Sequence, residues 1–194
     1  MTIHDPNQFP ATLAVINAGI ADGLHLGAQV YAAVGDETEM SITVGEAAPG
    51  TPLRANSIVP WMSNTKPIGA VAIGQLVLAD EMDWNLPVAE VIPEFEARGK
   101  SAITVKHILT HTAGLNGALE TRPGEATQSY EESVARVSDY RVPDDWVVGE
   151  TAAYDPYSSW YVVSEIVQRT TEKDFSDYVQ SEILGRLNIS SSWL

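Results

Sequence analysis

The chain has 194 residues and a formal net charge of −15, from 11 Lys and Arg against 26 Asp and Glu. Apolar residues make up 44 % and charged residues 19 %, which are the proportions of a folded globular chain rather than a disordered one. Nucleic acids and anionic membrane surfaces are bound through basic faces, so this composition argues against both as partners. The sequence contains no cysteine, which excludes a disulfide framework, a thiolate metal site and a cysteine nucleophile.

The first residues of the chain carry no pattern typical of an export signal. Residues 1–6 have neither a basic region nor an apolar stretch behind it. No apolar run approaches the roughly 18 residues that a membrane span needs. We therefore expect a cytoplasmic protein that does not engage a membrane.

A helix followed by a β-hairpin is predicted at the beginning of the chain. Within residues 9–24 apolar side chains recur at spacings of three and four, and Gly23 ends the pattern, which predicts an amphipathic helix. Two segments of alternating polarity flank the turn at 35–38, which predicts a hairpin over 28–45. We assign residues 1–55 to an α/β subdomain on this basis.

The remainder, residues 56–194, is predicted to form a helical subdomain. The segment 64–79 is apolar nearly all round, as in a buried helix, and Pro67 is tolerated only in a first turn, so this helix should start at about Ser63. The polar stretch 116–157 is predicted to be a loop-rich wall of a site. Further helices are predicted at 104–110, 129–138, 158–171 and 174–187.

Ser63 and Lys66 are the first candidates for chemistry. Three residues apart at the start of a buried helix, they would share a face, so that a hydroxyl and an amine could meet within hydrogen-bonding reach. The positive end of the helix would stabilise an alkoxide or a developing oxyanion. The alternative interpretation is structural, with Ser63 as a helix N-cap and Lys66 as a solvated side chain, and the spacing alone leaves both open.

The surrounding sequence resembles the superfamily of serine β-lactamases and penicillin-binding proteins, in particular its class C-like branch of esterases, D-aminopeptidases and transacylases. The similarity covers most of residues 55–194, in order. The matching stretches are Trp61-Met-Ser-Asn-Thr-Lys-Pro67, Trp84-Asn-Leu-Pro-Val-Ala-Glu-Val-Ile-Pro-Glu-Phe95, Ile103-Thr-Val-Lys-His-Ile-Leu-Thr-His-Thr-Ala-Gly-Leu115, the approach from Gly149 to a tyrosine motif, and Ser159-Trp-Tyr-Val-Val-Ser-Glu-Ile-Val167, followed by Ile183-Leu-Gly-Arg-Leu-Asn-Ile189.

The resemblance implies a fold of the α/β (α+β) class, with an antiparallel sheet flanked by helices and an all-helical subdomain. It also places the nucleophile of the family on Ser63 and its lysine on Lys66. Ser63 would then attack an ester or amide carbonyl to give an acyl-enzyme. In the class C-like branch a nearby tyrosine is the usual acceptor of the serine proton, kept deprotonated by the lysine.

Two tyrosines compete for the family's Tyr-x-Asn or Tyr-x-Ser motif. Tyr154 lies five residues after Gly149, the spacing that the family shows, and we favour it. Tyr157, followed by two serines, fits the letters of the motif better but lies three residues late. With Tyr154 as the motif tyrosine, Pro156 replaces the usual amide, so the substrate contact made there would be altered or lost.

The other candidate residues carry weaker signals. His111, in the His-Thr-Ala-Gly-Leu turn, is expected to have a structural role in hydrogen bonding. His4, His25 and His107 are scattered with no second ligand at metal spacing, so we expect no metal site. The adjacent acids, Glu131 with Glu132 and Asp144 with Asp145, are expected to be solvated. No glycine-rich phosphate loop is present, and no cofactor is expected.

The superfamily also needs a Lys-Thr-Gly or His-x-Gly strand that walls the pocket and supplies a second oxyanion donor. The sequence after Tyr161 offers two helices and a short tail, so we expect an incomplete sheet and half of an oxyanion hole. A fragment of a longer protein, a split enzyme completed by a partner chain, and a degenerate homologue are the three explanations, in that order. The C-terminal strands are thus expected from a continuation of the chain or from a partner.

The function expected from the sequence is that of a serine hydrolase acting through a Ser63 acyl-enzyme on an ester or amide of a small molecule. An acyltransferase of the same fold is one alternative. The other is a binding or assembly module that keeps the fold without turnover.

Overall fold

The computed structural model describes residues 8–119 and 129–193. Residues 1–7, on which the export-signal interpretation depends, lie outside this described part, as do residues 120–128 of the polar stretch. The chain divides into two structural units, Met1–Pro60 and Trp61–Leu194. No helix in the described part is both long and apolar enough to cross a bilayer.

The first unit contains one helix and a small antiparallel sheet. Helix α1 is followed by strands β1, β2 and β3, which pair in that order. Their bounds are α1 Pro10–Ala21, β1 Gly27–Val34, β2 Glu37–Ala48 and β3 Thr51–Pro52. The predicted helix and hairpin are therefore confirmed. Strand β3 was not predicted, because two residues are too few to show an alternating pattern.

The hairpin shows the alternation that its sequence predicted. Val30 pairs with Ile42 and is half-buried, whereas its neighbours Gln29 and Tyr31 are exposed. Ile42 is 2 % exposed and belongs to the buried core. Because side chains of a strand alternate between its faces, this register puts the apolar set of both strands on one side.

The second unit is helical. Its elements are the 3₁₀ turn Met62–Asn64, α2 Thr65–Leu78, α3 Val88–Val91, helical turns within Pro93–Gly99, α4 Val105–Leu109, α5 Tyr130–Asp139, α6 Ser158–Thr171, α7 Phe175–Tyr178 and the π-helix Val179–Leu184. Thr104 and Ser129 cap α4 and α5 through their hydroxyls, each in a capping box. The predicted helix at 174–187 is corrected to a short α-helix that continues as a π-helix.

The core of this unit is continuous and takes in one face of α2. The sequence predicted a helix buried nearly all round, and the structure corrects this, since Val71 and Leu78 of α2 are exposed. Ala72, Ile73 and Leu76 of α2 are buried together with Val163 and Ile166 of α6. Gly69 allows the close approach of these two helices, since a Cβ there would lie 3.3 Å from Cγ1 of Val163. The two helices that carry the candidate residues are thus fixed against each other by packing.

A buried cation ties two other elements together. Lys100 is 1 % exposed, and its Nζ donates to the carbonyl oxygens of Ala97 at 2.7 Å, Ser138 at 2.8 Å and Tyr140 at 2.7 Å. The ammonium also lies 5.2 Å from the centre of the Phe95 ring. Three carbonyls and a ring face give the charge the partners that a buried ammonium needs.

Candidate active site

Ser63 lies at the junction between the 3₁₀ turn and α2. Helix α2 begins at Thr65, two residues later than predicted, with Pro67 in its first turn. Met62, immediately before the serine, has a φ of +49°, which is unusual for a residue with a side chain and is a strained conformation often found at functional sites. The Ser63 side chain is exposed, and its hydroxyl bonds to two other side chains.

Lys66 lies one helical turn further on and points back to the serine. Its Nζ is 3.3 Å from Ser63 Oγ and donates to the carbonyl oxygen of Pro156 at 3.0 Å. The same nitrogen lies 5.2 Å from the ring centre of Tyr154 and 5.3 Å from that of Trp160. The ammonium is therefore held between a carbonyl and two ring faces, in contact with the hydroxyl it would assist.

Tyr154 completes the group. Its hydroxyl lies 2.5 Å from Ser63 Oγ, a contact between residues 91 positions apart in the sequence. The hydrogen bond with Ser63, and after it the hydrogen bond and positive charge of Lys66, lower the pKa of Tyr154 below its usual 10.0. A phenol with a lowered pKa beside a serine hydroxyl is placed to accept the serine proton.

The structure brings Ser63, Lys66 and Tyr154 together and leaves Tyr157 out of their hydrogen bonds. The Tyr157 side chain is 62 % exposed, and within the described residues no hydrogen bond joins it to Ser63 or Lys66. Pro156, which replaces the amide of the family motif, contributes its backbone carbonyl to Lys66 instead.

Asp155 holds the turn that carries Tyr154. This carboxylate is 2 % exposed and accepts from the backbone N–H groups of Tyr157, Ser158 and Ser159 and from the Ser159 hydroxyl, at 2.7–3.0 Å. It thereby caps the N-terminus of α6, where the helix dipole also favours a negative charge. Sequence reasoning missed this residue, although an aspartate just before an amphipathic helix is a recognisable capping signal.

His111 and Trp160 support the same turn. His111 Nδ1 accepts from the backbone N–H of Asp155 at 3.0 Å, and its ring lies 5.1 Å from that of Tyr154. Trp160 Nε1 donates to the Asp155 carbonyl at 3.2 Å. The role expected for His111 was structural hydrogen bonding, and the structure gives it such a bond.

No metal cluster is found among the described residues, in which no three His, Asp or Glu side chains converge. His107 is engaged in the capping box of α4, and burial followed by the charge of Lys106 lowers its pKa. His4 lies outside the described residues.

A cavity of about 430 Å³ opens beside Ser63 and Lys66. Five aromatic side chains contribute to its lining, and we call it the aromatic cavity. They are Tyr130, Tyr157, Trp160, Tyr161 and Phe175. Its volume falls in the range of about 300–1,000 Å³ that is usual for small-molecule sites.

An exposed serine hydroxyl in hydrogen-bonding contact with a lysine and with a tyrosine of lowered pKa is an arrangement that can activate a serine as a nucleophile. The chain belongs to the Beta-lactamase family, whose sequence profile matches residues 14–194. The resemblance and the fold class expected from the motifs are confirmed at the level of this superfamily.

Known relatives include hydrolytic and acyl-transferring proteins. Esterase EstB of Burkholderia gladioli is 39 % identical over 70 residues, which cover 34 % of this chain and 18 % of EstB. Acyltransferase mokF of Monascus pilosus is 28 % identical over 167 residues, which cover 72 % of this chain and 37 % of mokF.

The fold has close structural counterparts. The crystal structure of a penicillin-binding protein homologue from Caulobacter crescentus matches with a TM-score of 0.80 and 26 % identity, over 97 % of this chain and 50 % of that one. This chain therefore spans half or less of the length of each of these three relatives.

Proposed function

We propose that this chain carries the nucleophile and the proton-transfer groups of a serine hydrolase acting on an ester or amide of a small molecule. The observation that supports this most strongly is the 2.5 Å contact between Ser63 and Tyr154, with Lys66 bonded to the serine. The esterase and acyltransferase among the relatives support the same class of reaction.

In the proposed acylation step, Tyr154 in its phenolate form accepts the Ser63 proton as Oγ bonds to the substrate carbonyl carbon. The tetrahedral adduct then loses its alcohol or amine, which takes the proton back from Tyr154. Lys66 stabilises the phenolate and the attacking oxygen by its charge, and Ser63 stays esterified.

In the proposed second step, water adds to the acyl-enzyme and Tyr154 accepts a proton from it. The carboxylic acid leaves and the proton returns to Ser63. Replacement of water by an alcohol or amine would give acyl transfer, a second candidate that the mokF match favours, since it covers 72 % of the chain.

Covalent labelling tests the proposal. A fluorophosphonate probe should add one adduct to the protein, located at Ser63 by peptide mass spectrometry. The Ser63→Ala variant should remain unlabelled, whereas Ser101→Ala, which removes another exposed serine, should label like the wild type. Labelling that persists in Ser63→Ala, or its absence from the wild type, would contradict the proposal and favour a binding module without turnover.

Acyl transfer is separated from hydrolysis by the products. Incubation with an activated ester and increasing amounts of an amine should yield only the free acid if water is the acceptor. An amide whose yield rises with amine concentration at a constant rate of ester consumption would identify the protein as an acyltransferase.

A further inference from the structure

The aromatic cavity adjoins Ser63, and its position and lining indicate which part of a substrate it would bind. Of the residues that line it, Ser63 and Lys66 belong to the candidate site, whereas Tyr154 does not line it. In the proposed reaction the leaving group departs toward the residue that protonates it, which is Tyr154. In the proposed reaction this assigns the cavity to the acyl side of the scissile bond.

The walls of the cavity suit a ring. Tyr130 and Tyr161 stand with their ring centres 5.7 Å apart and tilted by 44°, which is the separation and tilt typical of aromatic neighbours. Phe175 and Trp160 add further ring surface. A cavity of about 150 Å³ is enough for a benzene molecule, so about 430 Å³ holds a phenyl group with its linker.

The charges of the cavity favour an uncharged ligand. Lys66 is the only charged residue among those described in its lining, and its ammonium is already bonded to Ser63 and to the carbonyl of Pro156. Behind the wall, Glu165 accepts from the Tyr130 hydroxyl at 2.9 Å and is paired with Arg169. A carboxylate on the ligand would therefore find no free cation among the lining residues that the structure describes.

We infer that the aromatic cavity binds the acyl group of an uncharged ester that carries an aryl ring. This inference rests on the proposed function, because it takes Ser63 as the attacking group. In the reaction, Ser63 Oγ bonds to the carbonyl carbon of the aryl-bearing acyl group and the bond to the alkoxy oxygen breaks. Water then releases the aryl-bearing acid and restores Ser63.

The substrate preference of the wild type gives the first test. With ethyl acetate and ethyl phenylacetate the leaving group is the same, so a pH-stat assay compares the acyl groups alone. We expect kcat/KM for ethyl phenylacetate to exceed that for ethyl acetate by about tenfold or more. Ethyl (4-carboxyphenyl)acetate, which adds a carboxylate to the ring, should lose most of this preference. Equal rates for ethyl phenylacetate and ethyl acetate would overturn the inference.

A variant that narrows the cavity gives the second test. Ser164 lines the cavity and accepts from Tyr130 at 3.1 Å. Ser164→Leu should reduce the preference for ethyl phenylacetate over ethyl acetate about tenfold, and Ser164→Val should do so in part. Ser101→Leu makes a similar change at an exposed position outside the cavity and should leave the preference unchanged. An unaltered preference in folded Ser164→Leu, with its thermal unfolding checked by circular dichroism, would contradict the inference.

Binding without turnover separates this inference from the proposed function. Ethyl phenylacetate is titrated into the Ser63→Ala variant and into Ser63→Ala with Ser164→Leu, and Kd is measured by NMR. Weaker binding in the double variant supports the cavity as a ligand site even if the fluorophosphonate fails to label Ser63. Labelling of Ser63 together with equal Kd values in both variants would refute the inference and leave the proposed hydrolase intact.

Discussion

In the proposed reaction, the contact between Ser63 and Tyr154 makes one phenol both the acid and the base of the site. Tyr154 is exposed, so burial does little to hold it neutral, and the serine hydroxyl and Lys66 both favour its phenolate. The lysine already has a carbonyl partner in Pro156, which fixes the position of its charge. The phenol is therefore the group whose ionisation should control the rate of acylation.

Removal of this phenol provides the first prediction. Since the phenolate is the active form in the proposed reaction, fluorophosphonate labelling should rise with pH along a limb centred below 10.0, the usual pKa of a tyrosine. Tyr154→Phe should abolish this limb and slow labelling by about 10²–10⁴-fold. Tyr157→Phe should leave the limb where it is, and loss of the limb in that variant instead would identify Tyr157 as the motif tyrosine.

Asp155 provides a second prediction, on stability. Asp155→Ala leaves three N–H groups at the start of α6 and the Ser159 hydroxyl without their acceptor. We expect the free energy of unfolding in urea to fall by about 2 kcal/mol. Asp155→Asn, which keeps an acceptor oxygen, should lose less.

Asp174 is a matched control for this prediction. It also precedes a helix, α7, but within the described part of the chain its carboxylate makes no capping hydrogen bond. Asp174→Ala should therefore change the free energy of unfolding by no more than about 0.5 kcal/mol. If Asp155→Ala and Asp174→Ala lower the free energy of unfolding equally, the hydrogen bonds of Asp155 do not account for its contribution to stability.

At the scale of elements, some helices could be predicted from the sequence and others could not. Helix α6 was predicted with its observed bounds, because its amphipathic pattern repeats through the whole element. The π-helix after α7 escaped prediction, since its wider turn is not a period that a pattern of 3.6 reveals. The spacing of apolar residues thus predicts the bounds of regular α-helices well, but not those of a π-helix.

Contacts between distant segments were not predictable in the same way. From the sequence, Lys100 cannot be distinguished from a lysine on the surface, because its carbonyl partners in Ser138 and Tyr140 lie 38 and 40 positions away. The spacing from Gly149 favoured Tyr154 over Tyr157, but the distance of each tyrosine from Ser63 depends on the tertiary path of the chain between them. The sequence predicted which residue types the site needs, whereas their meeting depends on tertiary packing.

Lys100 gives the element-scale prediction. Lys100→Met should destabilise the protein by about 2–4 kcal/mol at pH 7, because one buried and two partly buried carbonyls lose their donor. Lys106→Met, at an exposed position, should change the free energy of unfolding by at most about 0.5 kcal/mol. Urea unfolding of both variants measures the difference, and a near-neutral Lys100→Met would contradict the prediction.

The difference in the free energy of unfolding between the wild type and Lys100→Met should also depend on pH, and the sign of this dependence is defined. Burial lowers the pKa of Lys100 to about 8, below the 10.5 of an unperturbed lysine. Between these values the unfolded chain binds more protons than the folded one, so the free energy of unfolding rises with pH. The wild type should therefore gain stability relative to Lys100→Met between pH 8 and 10.5, and a constant difference would show that Lys100 does not titrate in this range.

At the scale of the whole molecule, the chain divides into two units, Met1–Pro60 and Trp61–Leu194. The continuous core of the second unit is built from residues between Ala72 and Leu184. Among the described residues of the first unit, Ile16 and Ile42 are the buried apolar ones, far fewer than in the second. Since apolar burial is the main source of folding free energy, the second unit should be the more stable of the two.

The segment between the units provides the last prediction. Residues 53–61 form no helix or strand, and Ile58 and Val59 are 67 % and 47 % exposed. Thermolysin, which cuts before apolar residues, should therefore cleave native protein first before Ile58 or Val59, because this backbone can enter a protease without unfolding a core. The fragment that begins there should keep its helical circular dichroism and resist further digestion, since its core residues all follow the cut. First cleavage within α2 or α6, or loss of helical signal as the cut appears, would show that the second unit needs the first to stay folded.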